Sequence, residues 1–189
     1  MARTRTTVYA VLGMLSIEPM SGYDMKKFAG ESIGHFWSES YGQLYPTLRE
    51  LERGGLVAME TERREGGTDR KVYRLTEAGL EELRRWIVRP VERRPVRDEL
   101  LLKLFFGRHV GAEHLRATVE QMRGEQERAL GALRVAEGEI SEEREHPDFP
   151  YWMMTLRFGL DMGEAYLRWC DETLAELRAL ERVEEGSKR

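Results

Sequence analysis

Ser40-Tyr41-Gly42-Gln43-Leu44-Tyr45-Pro46-Thr47-Leu48-Arg49-Glu50-Leu51-Glu52-Arg53-Gly54-Gly55-Leu56 is the stretch on which the fold turns. Leu44, Leu48 and Leu51 recur at spacings of four and three, which places them on one helix face and predicts that this face packs inward. Tyr41, Gln43, Tyr45, Thr47 and Arg49 fall on other faces. They form a polar front suited to base edges and phosphates if the helix N-terminus lies in a major groove. Ser40 with Gln43 fits a capping box, the serine hydroxyl accepting from the third amide and the glutamine reaching back. Gly54-Gly55 ends the helix, because glycine takes the left-handed C-terminal geometry at little cost. Pro46 has no amide to donate and crowds the preceding turn. Either the helix starts later than Ser40, near Leu44, or it bends at Pro46.

Behind this helix, Leu56 through Arg64 reads as a strand and Val72 through Leu75 as its partner, with Glu65-Gly66-Gly67-Thr68-Asp69 as the turn. Arg63, Arg64, Arg70, Lys71 and Arg74 surround the hairpin, and a glycine-rich tip flanked by cations suits close approach to a phosphate backbone. A charged hairpin also serves as a solvated edge that resists aggregation. That reading is less attractive directly behind a helix with a polar front. Upstream, Thr7 through Leu15 reads as a buried helix and Glu18-Pro19-Met20 as a turn. Ser21 caps a second helix with Asp24 at the capping-box position, and Tyr23, Lys26 and Lys27 on this helix join the DNA-facing set. Thr76 opens a further helix through Ile87. Three helices, two strands and another helix give the order of a winged helix-turn-helix, with the hairpin as the wing.

At these residues the chain resembles a known family. Ser21-Gly22-Tyr23-Asp24-Met25, then Gln43 through Leu48, then Leu51 through Leu56, is similar to the N-terminal domain of PadR-type transcriptional regulators, and so is Tyr73-Arg74-Leu75-Thr76-Glu77-Ala78-Gly79 after the wing. The family pattern also carries a proline at the position of Pro46. The remaining length resembles the branch with a long helical C-terminal domain related to virulence-activator regulators. The resemblance implies a homodimer that binds operator DNA through the winged helix and senses a small molecule.

Composition is compatible with this. The 189 residues suffice for one medium domain or two small ones. The net charge of −4 is unevenly spread: residues 1–90 carry 14 Lys+Arg against 13 Asp+Glu, and residues 91–189 carry 16 against 21. The acid sits in the second half, and a Debye length of about 8 Å screens it from a distant wing. The single cysteine, Cys170, fits a reducing cytoplasm. No secretory leader or membrane span is expected.

The domains are read as 1–90 for the winged helix, 91–96 for a linker around Pro90 and Pro95, and 97–189 for a helical dimerisation and effector-binding domain. In that second half, Leu100 through Phe106 makes a short apolar helix. Leu115, Val119, Met122, Gln126, Ala129, Leu133, Ala136 and Ile140 follow with alternating spacings of four and three. They form either a coiled-coil seam or an intrachain packing stripe. His146-Pro147-Asp148-Phe149-Pro150 breaks the chain, and a last helix runs from about Tyr151 to Leu180. It carries two apolar stripes, Trp152-Leu156-Gly159-Gly163-Tyr166-Cys170-Thr173-Leu177-Leu180 and Met153-Leu160-Leu167-Leu174, too wide a face for one neighbour. Gly159 and Gly163 each cost about 1 kcal/mol against alanine in mid-helix, so either close packing or a ligand space should offset them. Trp152, Met153, Gly159, Gly163, Tyr166 and Trp169 form the expected pocket for a flat apolar or phenolic effector. A dry dimer core is the alternative.

No catalytic constellation, phosphate loop or cofactor motif is present, and His109 and His114, five apart, diverge on a helix and make a poor metal pair. Cys170 reads as a small hydrophobe. The sequence thus predicts a mainly α protein, an N-terminal winged helix-turn-helix followed by an α-helical dimerisation domain. It is expected to be a cytoplasmic, dimeric, non-enzymatic regulator without cofactor that binds an inverted-repeat operator, as a repressor released by a small aromatic or hydrophobic effector. Tyr45 and Lys71 are the expected phosphate contacts, Gln43, Thr47 and Arg49 the base readers, and Arg70 either. The alternative is a winged-helix and coiled-coil protein-interaction module without specific DNA binding.

Overall fold

The computed structural model describes residues 2–37, 41–62, 69–91 and 97–186, the side chains at 2–5, 41, 184 and 185 excepted. The chain divides into two compact units, Met1–Arg93 and Arg94–Arg189.

Unit 1 runs α1 (Ala2–Ile17), β1 (Met20–Ser21), α2 (Gly22–Glu31), a 3-10 turn (Tyr41–Gln43), α3 (Leu44–Arg53), β2 (Val57–Glu62), β3 (Arg70–Leu75) and α4 (Glu77–Ile87). The sheet has the order β1-β3-β2, antiparallel throughout, with Val57 opposite Leu75 and Glu62 opposite Arg70. Where the sequence predicts only a turn at Glu18-Pro19-Met20, the structure adds β1, pairing Met20 with Tyr73 and Ser21 with Val72. Two residues are too short a run to show a period of two. Val11, Leu12 and Leu15 of α1, Met25 of α2, Leu48 and Leu51 of α3, Val57, Tyr73 and Leu83 meet in one core.

The local signals explain the boundaries. Ser21 caps α2 through the expected box: Asp24 N–H donates to Ser21 Oγ at 3.3 Å, and Ser21 N–H donates to Asp24 Oδ2 at 2.8 Å. Thr76 Oγ1 caps α4 by accepting from Gly79 N–H at 3.1 Å. The α3 helix begins at Leu44, so Pro46 stands in the first turn, where no intrahelical donor is required. Of the two expectations for Pro46, the later start near Leu44 is the one observed. Gln43 closes the 3-10 turn that leads directly into α3 and makes no side-chain capping bond to it; the expected box between Ser40 and Gln43 falls on Ser40, which lies outside the described residues. The helix ends at Arg53 with Gly54 as its C-cap, and Gly55 beyond it turns the chain at a φ of +68°, the one positive value among the described residues. Gly79 lets α4 press onto the strands: a Cβ there would lie 2.1 Å from the Leu56 carbonyl oxygen.

Unit 2 runs α5 (Glu99–Phe105), a 3-10 turn (Gly107–His109), α6 (Ala112–Glu142) and α7 (Phe149–Gly186). Arg116 pairs with Glu181 at 2.8 Å, Arg123 with Asp171 at 2.6 Å and Arg134 with Glu164 at 3.3 Å. The partners descend along α7 as they ascend along α6, so the two long helices are antiparallel. Leu100, Ala112, Val119, Cys170, Leu174 and Leu177 form the core at one end. The α6 stripe is an intrachain packing face and drifts from a strict heptad: Leu130 is buried and Ala129 exposed. Gly163 marks a close approach of α7 to α6, because a Cβ there would lie 3.0 Å from both Leu130 Cδ1 and Gln126 Nε2.

Candidate nucleic-acid interface

The α3 helix divides its residues sharply. Leu44, Leu48 and Leu51 are buried against α1 and the sheet, as their spacing requires. Thr47 joins them at 1% exposure, and its hydroxyl has no hydrogen-bond partner among the described residues. This corrects its placement among the base readers. Thr47 stands three after Leu44 and four before Leu51, so it extends the inner stripe and cannot reach a base edge. Gln43, Tyr45 and Arg49 remain outward and exposed. Tyr41 lies in the 3-10 turn just before the helix.

Tyr45 rests against the first turn of α2. The Cε1 atom of its ring is 2.7 Å from where a Cβ would stand on Gly22, yet Tyr45 is still 52% exposed. Tyr23 next to it is 71% exposed, and Lys26 and Lys27 are exposed further along α2, Lys27 lying 4.0 Å from Glu31. Beneath the surface Tyr73 is buried. Burial, with Glu52 close by, pushes its phenol up, against the opposing effect of Arg49.

The wing is rooted on α2. Arg70, at the start of β3, forms an ion pair with Asp24, which already serves the α2 cap. Burial alone would raise the Asp24 carboxyl, but hydrogen bonds from the Ser21 hydroxyl and amide, joined by Arg70, hold it below its ordinary value. The guanidinium of Arg70 is therefore committed at the wing root, which narrows its expected role. Arg74 pairs with Glu60 at 3.1 Å across the hairpin, and Lys71 is exposed. Arg63 and Arg64 lie outside the described residues. Sequence reasoning missed the Asp24–Arg70 pair, which spans 46 positions and leaves no periodic trace.

In unit 2 the six residues expected to line an effector pocket do not meet. Trp152 stacks on His146 with centroids 4.4 Å apart, whereas Tyr166 and Trp169 pack 5.4 Å apart against the Leu100–Cys170 cluster. Seventeen residues of helix, about 25 Å, separate Trp152 from Trp169. Met153 and Gly163 are buried and Gly159 is half-buried between the two groups. The Cys170 thiol is fully buried, and burial pushes its pKa up, so it is held as the protonated form. Among the described residues no group of three or more His, Cys, Asp or Glu could hold a metal, and no helix is long and apolar enough to cross a membrane.

The comparisons agree with this geometry. Residues 11–85 match the model of the transcriptional regulator PadR-like family, and residues 96–178 match that of the virulence activator alpha C-terminal domain. The negative transcriptional regulator PadR of Bacillus subtilis is 28% identical over 178 residues, 90% of this chain and 97% of the relative. Its crystal structure in complex with operator DNA superposes with a TM-score of 0.78 at 27% identity, covering 91% of this chain and 99% of that one. Its complex with p-coumaric acid gives 0.70 at 26% identity, covering 93% and 97%. The Vibrio cholerae virulence activator AphA gives 0.71 at 30% identity, covering 91% and 98%. With a PadR-like domain over its first half and a virulence-activator C-terminal domain over its second, the chain belongs to the PadR-like family of transcriptional regulators.

Proposed function

We propose that this regulator is a cytoplasmic homodimer that represses transcription by binding an inverted-repeat operator, one α3 helix entering each of two major grooves. The observation that carries this reading is the division of α3, with Leu44, Thr47, Leu48 and Leu51 buried and Gln43, Tyr45 and Arg49 turned outward. Gln43 and Arg49 read base edges, and Tyr45 and Lys71 hold phosphates. Tyr23, Lys26 and Lys27 are exposed on the adjoining α2 and belong to the same surface, and Tyr41 stands in the turn before α3. Arg63 and Arg64, outside the described residues, keep their expected place among the phosphate contacts. Arg70 positions the wing through Asp24. Support comes from the B. subtilis PadR relative, which was crystallised with operator DNA.

The dimer reading rests on a stripe in unit 2 that the sequence analysis does not single out. Tyr151, Met154, Phe158 and Met162, at spacings of three, four and four on α7, are 65%, 64%, 59% and 55% exposed. A row of large apolar residues on one helix face favours a second copy as its cover. We further propose that a small aromatic or hydrophobic effector releases the DNA. Tyr166 and Trp169, with half-buried Leu104, Leu115 and Met122, are its wall. The relative's complex with p-coumaric acid supports that ligand class. The test is fluorescence-anisotropy binding of the full chain to the promoter of its own gene, with and without p-coumaric acid. Sequence-specific binding that weakens with the acid supports the whole scheme. Equal binding to random duplex overturns operator recognition, and an unchanged affinity with the acid removes this effector.

A further inference from the structure

Gly22 is the first residue of α2, it is buried, and its missing side chain is where the ring of Tyr45 lies. A Cβ on Gly22 would stand 2.7 Å from Cε1, 3.1 Å from Cζ and 3.2 Å from the hydroxyl oxygen of Tyr45. Both groups cannot occupy that space, so one of them must move. The α2 turn is held from three sides. Ser21 pairs with Val72 in the sheet, Asp24 Oδ2 accepts from the Ser21 amide at 2.8 Å and from its hydroxyl at 2.7 Å, and Arg70 pairs with the same carboxylate. The Tyr45 ring, half exposed at the start of α3, turns on two side-chain bonds and yields first. Resting on the operator-binding reading above, we infer that Gly22 is a positioning residue for Tyr45. It fixes where the phenol meets DNA and does not itself touch DNA.

Folding does not require glycine here. Gly22 is not at positive φ, since Gly55 alone holds that conformation among the described residues, and alanine is the better helix former. The inference therefore separates two effects that a structural glycine would couple. Gly30 on the same helix serves as a control, because a Cβ there meets nothing within 4 Å.

The experiment compares the full chain with Gly22→Ala, Tyr45→Ala, the double variant and Gly30→Ala. Each is titrated into a duplex from its own promoter by fluorescence anisotropy and melted by circular dichroism. Gly22→Ala is expected to weaken binding about tenfold without lowering the melting temperature. In the Tyr45→Ala background the same change should alter affinity less than about twofold, because the displaced ring is gone. Gly30→Ala should bind as the parent does. An undiminished loss from Gly22→Ala without Tyr45, or no loss with it, overturns the inference. If Gly22→Ala fails to fold, recovery in the double variant supports the contact, and failure of both refutes it. Absence of binding by the unmodified chain overturns the operator reading and the positioning role together, and is told apart by appearing without any substitution.

Discussion

Unit 1 and unit 2 bury their apolar residues in different ways. In unit 1 every helix sends side chains to one centre, and Val11, Leu12, Met25 and Leu48 are fully enclosed there by the chain itself. In unit 2 two helices of 31 and 38 residues lie side by side, tied by Arg116–Glu181 and Arg123–Asp171, with one cluster at one end and a bare apolar row on α7. A single helical neighbour covers about one face of a long helix. The contrast teaches a division of labour. The first unit is closed so that its surface can hold a fixed set of polar groups. The second is left open on the side where we propose that another copy binds.

The strongest way to break the comparison is Gly79→Ala. The new methyl would collide with the Leu56 carbonyl, which is backbone and cannot turn aside. We expect a loss of about 3 kcal/mol in unit 1, read as a lower first melting transition and lost DNA binding. Unchanged melting would show that the α4 contact is looser than described. Next is the pair Phe158→Asp and Met162→Asp. Both positions are exposed within the chain, so the fold should survive, while sedimentation should show monomers and operator affinity should fall on the order of a hundredfold. A persistent dimer would place the interface elsewhere.

Smaller effects sharpen the account of unit 1. The Asp24 carboxyl is lowered in the folded state, so its stabilising contribution is present above the unfolded carboxyl value and lost as pH falls through the folded one. Asp24→Asn should therefore melt below the parent at pH 6, and the gap should close as pH drops beneath about 4. A gap that is constant down to pH 2 would assign the loss to shape and not to charge. Thr47→Val should do the opposite of these changes. It removes an unpaired buried hydroxyl and should raise stability by up to about 1 kcal/mol. A fall in melting temperature would mean that the hydroxyl has a partner in solution.

Much of this architecture is legible in the chain because its signals are local. The Ser21–Asp24 box, the Thr76 cap, Gly55 and the Leu44-Leu48-Leu51 stripe each act within one or two turns of backbone, and each stands where the spacing predicts. What stays hidden depends on distant pairing. β1 exists because β3 offers it an edge, Asp24 meets Arg70 across 46 positions, and the Tyr45 ring has a place only because Gly22 has no side chain. Thr47 is a different case. Its spacing placed it inside, and the preference for a polar side chain outside concealed it. The six residues expected to line an effector pocket are spread along α7. Residues that share a stripe on a 38-residue helix need not share a cavity.

The most direct measurement is the stoichiometry and symmetry of the full chain on its own promoter, by footprinting together with sedimentation of the complex. The account predicts two chains on one duplex, protecting two inverted half-sites whose centres lie about one or two helical turns apart. A single chain bound to the duplex, or protection without two-fold symmetry, would contradict it.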